Sequence, residues 1–142
     1  MVKPILKGVL VWAALSFALN LAWEVVQLPL YTIAESGTTP QLAYAVLHCT
    51  LGDVIIASGS FVLAGLLLRA PDWPSSRPWP GIAIAMAFGL AYTAYSEWYN
   101  VYVAGTWAYT AAMPLVFGIG LAPLLQWVAV PALSLAIIRS RL

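Results

Sequence analysis

The sequence predicts an all-α integral membrane protein: one domain, residues 1–142, folded as a bundle of four transmembrane helices with both termini cytoplasmic. Three observations predict it. The chain is 63% hydrophobic and only 8% charged, whereas a soluble domain covers its surface with about a quarter charged residues. The apolar residues fall in four continuous runs, each supplying the ~20 residues that cross the hydrocarbon core as a helix, and none alternates as a membrane strand would. The six Lys and Arg residues all lie on one side of the drawing that those runs define.

The first span covers about residues 8–30. The segment before it resembles the n-region of a signal peptide, but the run behind is longer than an h-region, contains Asn20 and Glu24, and precedes no small-residue cleavage site. An uncleaved helix is expected. The connection 32–41 (TIAESGTTPQ) is polar and turn-forming, and the second span follows at about 42–68. The connection 69–80 (RAPDWPSSRPWP) has four prolines and two tryptophans, the composition of a short, stiff, interfacial loop. The third span runs over about 82–103 and the fourth over about 112–138. Between them, 104–111 carries Trp107 and Tyr109, as an aromatic belt does.

Lys3 and Lys7 precede the first span, Arg69 and Arg77 follow the second, and Arg139 and Arg141 follow the fourth. The other two connections hold no Lys or Arg. Positive charge is retained on the cytoplasmic side, so the pattern predicts a multi-pass protein of the cell membrane, a bacterial inner membrane, with 32–41 and 104–111 facing outward. A single cysteine, Cys49, excludes an internal disulfide and any multi-Cys metal motif. The net charge of +1 comes with no basic patch, so nucleic acid is not an expected partner. Membrane lipid and a lipophilic small molecule are, and the size leaves room for a homo-oligomer.

Three carboxylates, Glu24, Asp53 and Glu97, lie inside the apolar runs. With a rise of ~1.5 Å per residue, Glu24 and Glu97 sit about 7 Å, and Asp53 about 3 Å, to the outer side of the middle of their spans. Three differently directed helices therefore bring their acids to one layer of the outer half. Facing agrees with depth. Asn20, Glu24 and Gln27 are spaced i, i+4, i+7, as are Thr93, Glu97 and Asn100, so each set forms one stripe. Thr50 and Asp53 are i, i+3. His48 sits about 10 Å outward of its helix middle and about 140° around the helix from Asp53, at the rim of the same chamber.

Burying a carboxylate in lipid costs about 2.5–3.5 kcal/mol on insertion scales, and such groups face a bundle interior or a wet cavity. A purely structural polar network accounts well for Asn20, Gln27 and Asn100. It accounts poorly for three acids, because amides would serve at lower cost. No Lys or Arg lies at that depth and His48 is the single imidazole. One acid held neutral beside one held ionised supplies a proton donor and an acceptor in one site. The candidate catalytic residues are thus Glu24, Asp53 and Glu97. The candidate substrate-binding residues are Asn20, Gln27, His48, Trp23, Trp98 and Asn100, where the two tryptophans adjoin the glutamates and offer π faces to a developing cation. No P-loop, dinucleotide fingerprint or Ser-His-Asp order occurs, and no cofactor is expected. Glu24, His48, Asp53 and Glu97 also compose an N/O set of the kind that takes a hard or borderline divalent ion, though no metal ligand is assigned.

NLAWEVVQLPLY at 20–31, HCTLGDV at 48–54 and the stretch from SEWYN to LLQW at 96–127 together resemble a group of small bacterial membrane proteins, a resemblance that implies architecture and no activity. The Asn20-x-x-Trp23-Glu24 segment resembles the N-x-x-W-E segment of membrane-bound meroterpenoid cyclases, which are longer and have more helices. It implies for Glu24 the role of a proton donor to an isoprenoid. The chain is similar to small multidrug transporters in size. The expectation is an intramembrane acid–base enzyme, an isomerase or cyclase of a lipophilic, isoprenoid-like substrate. The alternatives are a proton-coupled transporter of a small solute or cation, a metal-binding membrane protein, and a structural subunit of a membrane complex.

Overall fold

The computed structural model describes residues 2–141, with side chains from residue 5 onward; the expected placement of the Lys3 side chain lies outside them. Four long helices organise the chain: α1 (Val2–Gln27), α3 (Thr39–Leu68), α5 (Pro78–Trp98) and α6 (Leu121–Arg139). Two single-turn helices sit in the connections, α2 (Ile33–Ser36) and α4 (Trp73–Ser76). A two-stranded antiparallel hairpin, β1 (Leu115–Val116) with β2 (Ile119–Gly120), precedes α6. α1 packs on α3 and α6, and α5 packs on the same two helices from the other side, so the four close a ring. Three segments among the described residues are long and apolar enough to cross a membrane: Ile5–Leu30, Thr39–Leu68 and Leu121–Arg139. They mark the chain as membrane-embedded. α5 is less apolar because Tyr92, Tyr95, Glu97 and Trp98 crowd its last two turns.

The element ends follow from local chemistry. α3 begins after Thr38, whose backbone N–H donates to Gln41 Oε1 (2.8 Å), with Pro40 in the first turn, where its missing N–H costs nothing. It stops at Arg69, which takes a left-handed conformation (φ 50°) while the Ala70 N–H closes back on the Gly65 carbonyl at 3.0 Å. α5 starts at Pro78, four residues before the expected 82, with Pro78 and Pro80 again in the first turn. Its last stretch, Tyr99–Val103, widens into a π turn, the Ala104 N–H reaching Tyr99 O at 2.8 Å.

The fourth span requires a correction. Residues 112–120 were expected to be helical, but the helix begins only at Leu121. Pro114, Gly118 and Gly120 disfavour helix there, and Phe117 (φ 50°) and Gly118 (φ 80°) make the two-residue turn of the hairpin.

One end of the ring is basic and aromatic. Trp12, Phe61 and Trp73 pack ring to ring at 5.3–5.7 Å, and the Trp73 indole donates to Phe61 O at 3.1 Å. Trp73 lies flat on Gly81, where any Cβ would collide with it. The Arg139 guanidinium stands 5.8 Å from the centre of the Trp79 ring. Arg69 and Arg77 flank the same end, and Gly8 meets Phe61, which brings Lys7 there too. The acidic layer lies towards the opposite end.

Candidate functional site

Each long helix contributes to one cavity of about 1000 Å³ in the half of the ring away from the basic end. Glu24 and Gln27 reach it from α1, His48, Cys49 and Asp53 from α3, Glu97 and Asn100 from α5, and Gln126 and Trp127 from α6. The spacing i, i+3 puts Glu24 and Gln27 on one face of α1, and the same geometry holds Glu97 and Asn100 on one face of α5.

The polar groups divide into two sets. In the first, Gln126 is the hub. Its Nε2 lies 2.9 Å from Asn20 Oδ1, 3.0 Å from Glu24 Oε1 and 2.9 Å from Asp53 Oδ2. Gln27 Nε2 donates to the same Glu24 oxygen at 3.0 Å, and Trp23 Nε1 donates to Gln27 Oε1 at 3.1 Å. Asn20 Nδ2 donates to Ser16 Oγ at 2.8 Å. An amide nitrogen has two hydrogens, so three oxygen acceptors around it leave one bond shared. Asn20, Gln27 and Gln126 are almost fully buried, and at such depth each needs its partners.

In the second set, Glu97 Oε2 accepts from two phenols, Tyr109 at 2.6 Å and Tyr31 at 3.1 Å. The connections that carry those tyrosines are stitched together: Thr32 N–H to Ala108 O at 3.0 Å, and Thr110 N–H to Leu30 O at 2.9 Å. Tyr109 in turn accepts from the Gly120 N–H at 3.0 Å. Burial pushes the Tyr109 phenol up, and its bond to Glu97 does the same, so it stays a donor at physiological pH. Trp107 lines the wall here, and its indole N–H is buried with no acceptor among the described residues.

The candidates named from sequence separate accordingly. Glu24, Asp53 and Glu97 share the cavity, but Glu97 makes no direct hydrogen bond to the other two. Gln27, His48 and Asn100 also line it. Asn100 donates to the Ser96 carbonyl at 2.8 Å, and the exposed His48 ring stacks on Tyr44 (5.5 Å, 17°). Asn20 and Trp23 stand behind the wall and hold Gln126 and Gln27. Trp98 does not join the site: it is exposed and packs beside Tyr95, because it sits one position, about 100°, from Glu97 around the helix.

Gln126, Tyr31 and Tyr109 were not among the sequence candidates. Gln126 sits alone on an otherwise apolar helix, and a lone buried amide in such a run was itself the available signal. Tyr109 lies in the connection that reads as an aromatic belt, and Tyr31 lies just past the end of the first span. Among the described residues, no three His, Cys, Asp or Glu side chains gather as a metal-ion site. No family model, curated protein or solved structure matches the chain.

Proposed function

We propose that the protein is a four-span membrane enzyme, both termini cytoplasmic, that performs acid–base chemistry on a lipophilic substrate, an isomerisation or cyclisation of an isoprenoid or related lipid. On this reading α5 crosses the membrane with the other three helices, its hydropathy lowered by Glu97 and by the prolines and aromatic residues near its ends. The observation that carries the proposal is the unequal treatment of three carboxyl groups in one cavity. Glu24 and Asp53 meet on a single amide nitrogen. Two carboxylates so placed in a low-dielectric layer repel each other, and one proton held between them removes the repulsion. That pair is the proton donor. Glu97 stands apart from it, accepts two O–H bonds on Oε2, and on this reading is the acceptor.

The chemistry balances without a cofactor. A proton passes from the Glu24–Asp53 pair to a substrate double bond, and the adjacent carbon becomes cationic. The ring faces that line the cavity, Tyr92 and Trp127 among them, favour that charge. Loss of a proton from a neighbouring carbon to Glu97 forms the new double bond. The proton then returns to the pair, and the site is regenerated. The aromatic cluster of Trp12, Phe61 and Trp73 fills the other half of the ring, which favours a closed chamber over a transport path between the two faces.

The test compares lipid extracts and growth of cells carrying wild type, Glu24→Gln, Asp53→Asn or Glu97→Gln, with thermal stability measured in detergent. The amides keep shape and hydrogen bonding but cannot exchange a proton. We expect all three to lose the product while remaining folded in detergent, because each amide keeps the size and an oxygen acceptor of the acid it replaces. Three amide variants that retain wild-type lipid profiles reject the acid–base reading in favour of a structural network.

A further inference from the structure

We infer that the cavity is loaded sideways, from the bilayer leaflet at its own end, through a mouth between α3 and α5, so that its substrate is a molecule already dissolved in lipid. This deepens the proposed function and rests on its placement of the helices in the membrane.

Two of the four sides of the cavity are closed. Towards the basic end, Trp127 lies on Gly89 so closely that no Cβ fits between them, and the Trp12–Phe61–Trp73 cluster fills the space beyond. The opposite end is only partly covered: the two stitched connections cross it, with Tyr31 and Tyr109 bridged and their rings 5.6 Å apart, but Ser36, Pro40, Gln41 and Thr106 there are exposed and line the cavity as well. Behind stand α1 and α6, tied by Gln126 to Asn20 and Glu24 and by the Trp23 indole to Ala122 O at 3.2 Å.

The fourth side differs. Tyr44, His48 and Gly52 of α3 and Tyr92, Ser96 and Asn100 of α5 all line the cavity, yet Tyr44 is 68% and Tyr92 47% exposed. Residues that belong both to the cavity wall and to the outer surface form its rim. Gly52 lines the cavity, and a Cβ built there meets nothing within 4 Å, as at Gly59 seven residues along the same face of α3, although its neighbour Asp53 is bonded to Gln126. In the basic half, by contrast, Phe61 of α3 and Trp73 seated on Gly81 of α5 fill the space between the same two helices. Helices that are held together at one end and parted at the other leave a lateral opening, and in a bilayer that opening faces acyl chains.

Cys49, the single cysteine of the chain, lines this cavity and reports on access without engineering. In native membranes its alkylation is timed with N-cyclohexylmaleimide, which partitions into lipid, and with a sulfonated maleimide, which does not. We expect reaction with the apolar reagent and little with the sulfonated one. Gly52→Phe, which places a ring in the gap, should slow the apolar reaction about tenfold or more. Leu51→Phe, which adds bulk at an exposed position about 100° around the same helix from Gly52, should leave it near wild type. Equal slowing by both variants, no slowing by Gly52→Phe, sulfonated labelling as fast as apolar, or a Cys49 that reacts only after denaturation would each overturn the lateral mouth. The labelling reads access, and the lipid profiles of the amide variants read chemistry. Failure of the acid–base chemistry and failure of the mouth are therefore read separately.

Discussion

Gln126 shows how much one neutral side chain can carry. Its amide nitrogen faces Asn20, Glu24 and Asp53 at 2.9–3.0 Å, so it joins α1, α3 and α6 through one group. Removing a buried donor leaves its acceptors without compensation, at about 1–3 kcal/mol for each stranded group. Gln126→Leu, similar in size but apolar, should therefore lower the thermal midpoint in detergent clearly, and should cost more than Gln126→Glu with the introduced acid protonated at low pH. Unfolding followed by intrinsic fluorescence at two pH values measures both. A Gln126→Leu protein as stable as wild type would mean that the acids find other donors. Asn20, Glu24 and Gln27 were legible at this scale from their spacing, and so was the depth of Asp53 and Glu97. Gln126 offered only the weaker signal of a lone amide in an apolar run, because a single amide has no periodicity to assign its face. Trp98 was misplaced for the opposite reason: adjacency in sequence is divergence around a helix.

At the scale of elements, α5 is shaped to receive tryptophans. Gly81 takes Trp73 and Gly89 takes Trp127, eight positions apart and so close to one face of the helix. Trp127 is 3% exposed and makes the cavity floor, so Gly89 sets how near α6 approaches α5 beneath the acids. Gly89→Ala must push the indole away, and overpacking of this kind costs about 1–3 kcal/mol. Trp127→Leu should cost stability alone but recover part of the loss when combined with Gly89→Ala, a coupling that a double-mutant cycle of thermal stability would reveal. Strict additivity would show that the contact carries no energy. The hairpin before α6 belongs to this scale as well. Continuous hydropathy made 112–120 read as membrane helix, because a hydropathy sum sees apolar side chains and not the backbone that Pro114 and the positive-φ turn at Phe117–Gly118 impose.

For the whole molecule, the ring of four long helices has two unlike ends, one with Lys7, Arg69, Arg77 and Arg139, the other with the acid-lined cavity. Retention of basic residues on the cytoplasmic side is the ground for the orientation proposed above. A cysteine introduced at Thr38 should react with an impermeant thiol reagent added outside intact cells, and one at Ser76 should react only after the membrane is opened, both on a Cys49→Ser background. Both positions are exposed, so reactivity reports the side and not burial. The reverse pattern would invert the topology, and with it the leaflet that supplies the cavity.

Hydropathy and charge are properties of composition along a line, and the sequence alone was enough to determine a helical, membrane-embedded chain with three of its five acids within the apolar runs and its basic residues at one set of ends. Helical spacing further determined which polar residues share a face. What only the tertiary structure decided is which faces meet. It separated Glu97, held by Tyr31 and Tyr109, from the Glu24–Asp53 pair held by Gln126, and it parted α3 from α5 beside Gly52 while Phe61 and Trp73 filled the space between them at the other end. Those outcomes depend on side chains distant in sequence occupying the same few ångströms, on an indole that fits only where a helix has no Cβ, and on a turn whose backbone angles no hydropathy pattern records.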